Sequence, residues 1–249
     1  MFRLFFLGCM FLICLSANAS SITEKRIFLN NDNAINKFRI ANYTEFEEVC
    51  ELKFSHHLYN DDASQAIPLP DTEQPENSAI PWFRFSPRKF TLTTQSEQFI
   101  TFRFRRVLNT SAAEYRSYLL IDCKSNRELR SDGQLEVSMQ PRIIHKVPII
   151  VRTGQLSSNL TFKDVNIRNG KLLFNVFLNG QRSVFGDVRL VNKETETVIS
   201  DLNNVAIYPE SSHRKLSIKL PENINPSSLK LVFIEITKYG GSIVEEFEL

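Results

Sequence analysis

The chain has 249 residues, of which 42% are hydrophobic, 23% charged and 11% aromatic. This composition is typical of a folded globular protein and excludes the disordered, collagen-like and low-complexity classes. The 30 lysines and arginines nearly balance 28 acidic residues, which leaves a net charge of +2. That balance argues against a nucleic-acid-binding surface, so no nucleic-acid partner is expected. Only 8 glycines are present, which argues against glycine-rich nucleotide-binding loops.

The N-terminal segment 1–19 has the three-part pattern of a secretory signal peptide. Arg3 precedes a nearly continuous apolar run from Leu4 to Leu15, and Ala17 and Ala19 form a small-x-small cleavage site. The run is shorter than the roughly 20 residues that a membrane-spanning helix needs. We therefore predict cleavage after Ala19 and export of the mature chain. The alternative for this segment is a buried N-terminal helix.

The positions of the cysteines and histidines limit which disulfides and metal sites the mature chain could form. Only Cys50 and Cys123 remain after the predicted cleavage, each in a strand-like run. In an oxidising compartment such a pair indicates one disulfide, although two free thiols are the alternative. Trp82 lies far from the position that an immunoglobulin-type core disulfide would require. No Cys-x-x-Cys, His-x-His or His-Glu-x-x-His spacing occurs, so no metal and no other cofactor is expected.

The sequence motifs of common enzymes are missing. The chain contains neither a Gly-x-Ser-x-Gly elbow nor a Gly-x-x-x-x-Gly-Lys loop, so we expect no enzyme activity. An exported hydrolase is the most distant alternative. The adjacent His56 and His57 would point to opposite faces of a strand, and we predict that both are surface histidines.

Short apolar or alternating runs follow one another along the chain and predict strands. The first set comprises Ile27–Leu29, Lys37–Ala41, Val49–Phe54, Phe99–Phe104, Tyr118–Cys123, Leu135–Met139 and Val147–Val151. The second set comprises Leu160–Ile167, Leu172–Leu178, Ser183–Val191, Val205–Tyr208, Lys215–Leu220, Leu229–Thr237 and Ile243–Phe247. Such a series of short strands is typical of an antiparallel sandwich.

Turn-forming residues divide this series. The polar, proline-containing stretch Asn60–Ile80 predicts a long mobile loop. Asn179-Gly180 predicts a tight turn between its two flanking strands. The two sets of strands separate near Arg152–Ser158. We therefore predict a signal peptide over 1–19, an N-terminal domain over 20–153 and a C-terminal sandwich over 154–249.

Three consecutive segments of the first domain resemble a known family. They are Phe85-Ser86-Pro87-Arg88-Lys89-Phe90-Thr91-Leu92, the alternating Arg-rich run from Gln98 to Arg106, and the Glu-Tyr-Arg-Ser strand from Ala113 to Leu119. In this order they are similar to the first immunoglobulin-like domain of the periplasmic pilus chaperones (PapD-like). The second half, with Ile149–Gly154 and Gly180–Asp187, resembles a divergent branch of that family.

The resemblance implies an all-β fold of two immunoglobulin-like β-sandwich domains in an L or boomerang arrangement. It also implies a periplasmic chaperone that caps fimbrial (pilus) subunits by donating a β-strand and delivers them to an outer-membrane usher. That activity needs no ATP and no metal. The alternative is a secreted adhesion or binding module of two immunoglobulin-like domains.

Strand donation in that family uses the last strand of the first domain, whose alternate apolar side chains fill the groove of an incomplete subunit. The matching segment here places Leu135, Val137 and Met139 on one face and polar residues on the other. Alternation is also typical of residues that face their own core, and the binding-module alternative predicts that arrangement.

The resemblance further implies an arginine and a lysine that anchor the subunit's C-terminal carboxylate between the domains. Arg26 lies in Lys25–Leu29, which matches the family's first strand. The family's lysine would fall on Pro148, so we predict that Lys146, on the same side of a regular strand, replaces it. Arg152 is predicted to lie at the domain junction. The sequence leaves open whether the free protein caps itself as a homodimer.

Overall fold

The computed structural model describes residues 20–62, 65–106, 110–125, 143–211, 213–222 and 224–249. The predicted signal peptide and the predicted donor residues Leu135, Val137 and Met139 lie outside the described residues. In the described part, strands dominate, and the helices are three short 3₁₀ turns: Ile80–Trp82, Pro226–Ser228 and Thr237–Tyr239. None of these described helices has the length and apolarity that crossing a membrane requires.

Strands from the first half of the chain form two sheets, numbered here along the chain. The four-stranded sheet contains, in spatial order, β1 (Ser20–Ile22), β3 (Ile35–Asn42), β9 (Glu97–Phe104) and β7 (Phe83–Ser86). The five-stranded sheet contains, in spatial order, β2 (Ile27–Leu29), β11 (Ile144–Thr153), β10 (Ala113–Ser125), β4 (Glu48–Ser55) and β8 (Lys89–Leu92). The short β2 runs parallel to β11, whereas the other neighbours are antiparallel.

Strands from the second half form another pair of sheets. The three-stranded sheet contains β12 (Ser158–Arg168), β13 (Lys171–Gly180) and β16 (His213–Lys219). The four-stranded sheet contains β15 (Val198–Ile207), β14 (Val184–Asn192), β17 (Leu229–Glu235) and β18 (Val244–Glu248). A separate two-stranded ribbon consists of β5 (His57–Tyr59) and β6 (Ala66–Pro68).

Each half of the chain has its own hydrophobic core, because successive strand residues point to opposite faces of a sheet. On β3, Phe38 and Ile40 are buried, whereas Lys37 lies on the exposed face. The first core cluster draws on both sheets of the first half, and the second cluster on both sheets of the second half. The predicted all-β fold of two sandwiches is confirmed.

Two local predictions differ from the structure. Ala66–Pro68, within the predicted loop Asn60–Ile80, pairs with His57–Tyr59; three-residue strands are too short to produce a period-two signal. Asn179-Gly180 does not form a hairpin turn, since β13 and β14 belong to different sheets. Gly180 has a φ of +147°, and a Cβ there would lie 2.4 Å from the Cα of Ser158, so close packing requires the glycine.

Cys50 and Cys123 are joined by a disulfide. They face each other directly on β4 and β10, so the bond links neighbouring strands of one sheet. It therefore differs from the immunoglobulin core disulfide, which connects two sheets. Trp82 packs instead on Tyr115, with ring centroids 4.4 Å apart.

Reduction of this disulfide should destabilise the first sandwich. The bond joins residues that are 73 positions apart, and closing a loop of this size restricts the unfolded chain by about 4 kcal/mol. Urea unfolding with and without reductant, followed by the fluorescence of Trp82, measures the effect, because Trp82 is the single tryptophan and packs against the first core. An unchanged unfolding midpoint would contradict this prediction.

Candidate functional site

The two sandwiches meet through a third cluster of buried aromatic and aliphatic side chains. Phe28 and Ile150 come from the outer face of the five-stranded sheet, and Phe185, Tyr208 and Tyr239 come from the second half. The alternation of side chains along β11 explains why Ile150 faces the junction. Its odd-numbered residues Val147, Ile149 and Val151 fill the first core, so its even-numbered residues face outward. The outer face of the sheet therefore becomes the junction surface.

Arg26 is buried in this junction directly before β2, with only 1% of its surface exposed. Its guanidinium carbon lies 3.7 Å from the ring centroid of Phe185 and 5.6 Å from that of Tyr239. Its Nε and Nη2 atoms have no hydrogen-bond partner among the described residues. Burial lowers the pKa of this guanidinium. Two of the three guanidinium nitrogens of Arg26 thus lack the acceptors that a buried cation normally has.

The free-energy cost of burying Arg26 is larger than its contacts return, which indicates a binding site for an anion. Burying an ion costs several kcal/mol even after the protein relaxes, whereas a desolvated cation–π contact returns only about 2 kcal/mol. A carboxylate placed against the guanidinium would supply the missing charge-assisted hydrogen bonds. In this respect Arg26 is suited to binding and poorly suited to stabilising the fold.

Arg152 lies at the junction, as predicted, and differs from Arg26 because its donors have acceptors. Its Nε donates to Glu114 Oε2 at 2.7 Å, across neighbouring strands of the first sandwich. Its Nη2 donates to the carbonyl of Ser183 at 2.8 Å, and its Nη1 donates to the carbonyls of Tyr239 and Gly240 at 3.1 and 2.8 Å. Arg152 therefore ties the two sandwiches together with satisfied donors.

Two further ion pairs belong to the same region. Arg182 donates through Nη2 to Glu235 Oε2 at 3.0 Å, and both side chains are buried. Arg116 pairs with Glu210 across the junction, and its guanidinium carbon lies 4.0 Å from the ring centroid of Tyr208. Sequence reasoning missed both pairs. Their partners are 53 and 94 positions apart, and no local pattern relates residues at such distances.

Lys146 lies on the same outer face as the junction residues but nearer the beginning of β11. Its Nζ is 3.2 Å from Nε2 of His57 and 5.4 Å from the ring centroid of Tyr118. Burial, followed by the charges of Lys146 and Arg116, lowers the pKa of His57. The neutral imidazole can therefore accept a hydrogen bond from the Lys146 ammonium.

The prediction of two surface histidines is wrong for His56, which is buried, whereas His57 is half-buried. His56 has 9% of its surface exposed, and its Nε2 lies 2.9 Å from the hydroxyl of Ser78 and 3.1 Å from that of Ser117. His57 packs edge-on against Tyr118. His56 thus contacts residues 22 and 61 positions away in the chain, a tertiary contact without a sequence signal.

The ribbon connects the surroundings of Lys146 with those of Arg26. The hydroxyl of Tyr118 donates to that of Tyr59 at 3.3 Å, and the ring of Tyr59 stacks on Tyr208 with centroids 4.8 Å apart. Beyond Tyr59, the carbonyl of Asn60 accepts a hydrogen bond from the hydroxyl of Ser211. Close by, a cavity of about 330 Å³ is lined by residues of both sandwiches, including Glu114 and Glu210. The ribbon thus spans the junction and covers it.

One edge of β11 is open to a further strand. Its pairing with β10 extends over the whole strand, whereas β2 pairs only with Ile149–Val151. Among the described residues, no strand occupies that second edge from Lys146 to Pro148. Ile143 and Ile144, which precede this stretch, are 45% and 49% exposed. An edge of this kind can accept the backbone hydrogen bonds of an added strand.

Sequence comparison identifies no relatives, since no family model matches the chain and no curated protein is detectably similar to it. Solved structures do match. The CupB2 chaperone of Pseudomonas aeruginosa aligns with a TM-score of 0.51 at 13% identity, covering 92% of this chain and 100% of that one. A chain of the CsuC–CsuE complex of chaperone and tip adhesion subunit, from the archaic Csu pili of Acinetobacter baumannii, aligns with a TM-score of 0.51 at 11% identity, covering 92% and 97%.

A third match is a chain of the Salmonella enterica SafA pilin–SafB chaperone complex, with a TM-score of 0.51, 13% identity and coverage of 93% and 97%. Identities this low show a common fold. The chain has the two-sandwich fold of the chaperones of pilus assembly, so the resemblance predicted from its sequence is confirmed at the level of the fold.

Replacing Arg26 by methionine should stabilise the protein. Methionine fills a comparable volume without a buried charge, and replacing buried charged groups by well-packed apolar ones gains about 1–4 kcal/mol. Urea unfolding of Arg26→Met and the wild type measures the difference, with Arg152→Met as the opposing case because Arg152 has its acceptors. A clear loss of stability in Arg26→Met would assign Arg26 a structural role.

Acidification should destabilise the protein partly through His57. The folded state holds the pKa of His57 below its ordinary value, so between about pH 6.5 and that lowered value only the unfolded chain binds the proton. Stability then falls as the pH drops. His57→Gln should show a smaller decrease in unfolding free energy between about pH 7.5 and 5.5. His213→Gln, in the second sandwich, controls for the loss of a histidine, and an identical pH dependence in wild type and His57→Gln would refute the prediction.

Proposed function

We propose that the mature chain is a periplasmic chaperone that caps pilus (fimbrial) subunits by donating a β-strand and hands them to an outer-membrane usher. The observation that carries this proposal is the buried guanidinium of Arg26 at the junction, whose Nε and Nη2 have no acceptor among the described residues. The common fold adds support, since two of the matching structures are complexes of a chaperone with a pilin or a tip adhesion subunit.

In this proposal the subunit's C-terminal carboxylate binds Arg26. Ile27 pairs with Ile149, so Arg26 lies beside Pro148, where the family resemblance would place the lysine. Lys146, one step further along the same face, supplies the second cation when it exchanges its contact with His57 for the carboxylate. Two cations on a planar anion set the register in which the subunit strand begins.

Binding of the carboxylate requires the junction to open. Arg26 is 1% exposed and is covered by the aromatic rings of Phe185 and Tyr239. The free protein is therefore closed over its anchor, and a subunit must displace part of the aromatic cluster. Separation of the stacked rings of Tyr59 and Tyr208 is one such opening, because Tyr59 belongs to the ribbon and Tyr208 to the second half of the chain.

Strand donation follows from the open edge of β11. A subunit strand that begins at the anchor would pair with Lys146–Pro148 and continue along the chain that precedes it. The predicted donor residues Leu135, Val137 and Met139 would then enter the subunit's groove from one face. Domains over 20–153 and 154–249, export to the periplasm and an activity without ATP or catalysis complete the proposal. The alternative of a secreted binding module offers no role for a buried guanidinium without acceptors.

Co-purification from the periplasm with a candidate subunit, taken from a neighbouring open reading frame, tests the proposal. Wild type should yield an equimolar complex. Arg26→Met and Val137→Glu should each weaken it at least about 30-fold, because removing one partner of a buried charge pair costs 2–5 kcal/mol and a glutamate cannot enter an apolar groove.

Matched variants separate binding from folding. Ser138→Glu adds the same charge on the opposite face of the predicted donor strand, and Lys219→Met removes a cation from the second sandwich. Both should retain the complex, and circular dichroism should be the same for all four variants. Complexes that survive Arg26→Met and Val137→Glu would eliminate the mechanism and favour the binding module.

A further inference from the structure

A cavity of about 460 Å³ lies in the first sandwich, at a site that the proposed function does not use. Its apolar wall consists of Phe54, Ile80, Phe83 and Phe85. The three phenylalanines contact one another, with ring centroids 4.9 to 6.3 Å apart. The volume is within the range of about 300–1,000 Å³ that is typical of small-molecule sites.

Three arginines border this aromatic wall. Arg84, Arg88 and Arg105 line the same cavity, and none of its lining residues is acidic. Arg88 lies with its guanidinium carbon 4.7 Å from the ring centroid of Phe85, and Arg105 donates through Nη1 to the carbonyl of Pro81 at 3.2 Å. Within the described part of the chain, no carboxylate forms an ion pair with any of these three arginines.

A fourth arginine adds to the positive charge near this cavity. Arg103 faces Arg84 directly on the neighbouring strand β9, and like charges in that position repel each other. The overall net charge of the chain is only +2, so four neighbouring arginines that form no ion pair with a described carboxylate are a distinct feature of this region. A bound anion would relieve the repulsion and receive charge-assisted hydrogen bonds.

We propose that this cavity binds an amphiphilic anion, in which a carboxylate or phosphate group is attached to an alkyl or aromatic body. The anionic group lies at Arg88 and Arg105, whose guanidinium forks match planar or tetrahedral oxyanions, and Arg84 adds positive charge from the other face of the edge strand β7. The apolar body packs on the phenylalanine wall. Free fatty acids and the headgroup region of anionic lipids share this chemistry. The site lies away from Arg26 and the junction, so this inference is independent of the proposed function.

Titration with monomeric dodecanoate tests the inference. Trp82 is the only tryptophan and lies in the segment that connects the lining residues Ile80 and Phe83, so its fluorescence reports on occupation of the cavity. Calorimetry provides a second measurement. We expect saturable binding of one dodecanoate, and no comparable binding of dodecyltrimethylammonium, which has the same alkyl chain and the opposite charge.

Charge reversal locates the binding. Arg84 and Arg88 are exposed, so Arg84→Glu/Arg88→Glu should remain folded and bind dodecanoate at least about tenfold more weakly. The matched control is Lys171→Glu/Lys219→Glu, because these lysines face each other on β13 and β16 and line neither cavity. This control should bind as tightly as the wild type.

Vesicles distinguish the two sources of the ligand. Co-sedimentation with phosphatidylglycerol vesicles but not with phosphatidylcholine vesicles, lost in Arg84→Glu/Arg88→Glu, would assign the site to lipid headgroups. Binding of dodecanoate without co-sedimentation would assign it to a free amphiphile. The inference is overturned if neither method detects dodecanoate binding, if the cationic amphiphile binds as tightly, or if both charge-reversal variants weaken binding equally.

Discussion

The satisfied guanidinium of Arg152 holds the two sandwiches in one arrangement. It bonds to Glu114 within the first sandwich and to three carbonyls of the second, those of Ser183, Tyr239 and Gly240. Because Tyr239 is also one of the rings over Arg26, the same contact positions the cover of the unsatisfied cation. The junction thus combines an arginine whose three guanidinium nitrogens all donate hydrogen bonds with a neighbouring arginine of which two nitrogens have no described acceptor. The proposed activity depends on this difference.

This arrangement relates stability to binding. Apolar contacts among Phe28, Phe185 and Tyr208 favour the closed junction, whereas the buried charge of Arg26 opposes it. A partner that supplies an anion removes this cost, and the backbone hydrogen bonds of an added strand contribute further. Closure in the free protein also keeps an apolar and cationic surface away from unrelated molecules. In the proposed activity such a balance would favour release of the subunit, because the closed junction of the free protein competes with binding.

Sequence reasoning was most successful where local chemistry decides. The strand Ile27–Leu29 was predicted with its bounds, and Val147–Val151 lies within β11, because short apolar runs rich in strand-forming residues carry a local signal. It failed at the ribbon, because the three-residue strands His57–Tyr59 and Ala66–Pro68 are too short to produce a period-two signal. It also failed at His56, which is covered by Ser78 and Ser117 from distant positions. The aromatic cavity was missed although its Ser86-Pro87-Arg88 segment was quoted, because its wall is assembled from β4 and β7.

By itself, the sequence determined the all-β class, the two-sandwich organisation and the position of Arg26 before the first strand that pairs with β11. These properties depend on period-two alternation and on short motifs, which are local. Only the tertiary structure decided the burial of Arg26 and the lack of described acceptors at its Nε and Nη2. The same holds for the pairing of Arg116 with Glu210 and for the grouping of Arg84, Arg88 and Arg105. Each results from side chains that are far apart in the chain and adjacent in space. That packing decides whether a cation is paired within the protein or available to bind a ligand.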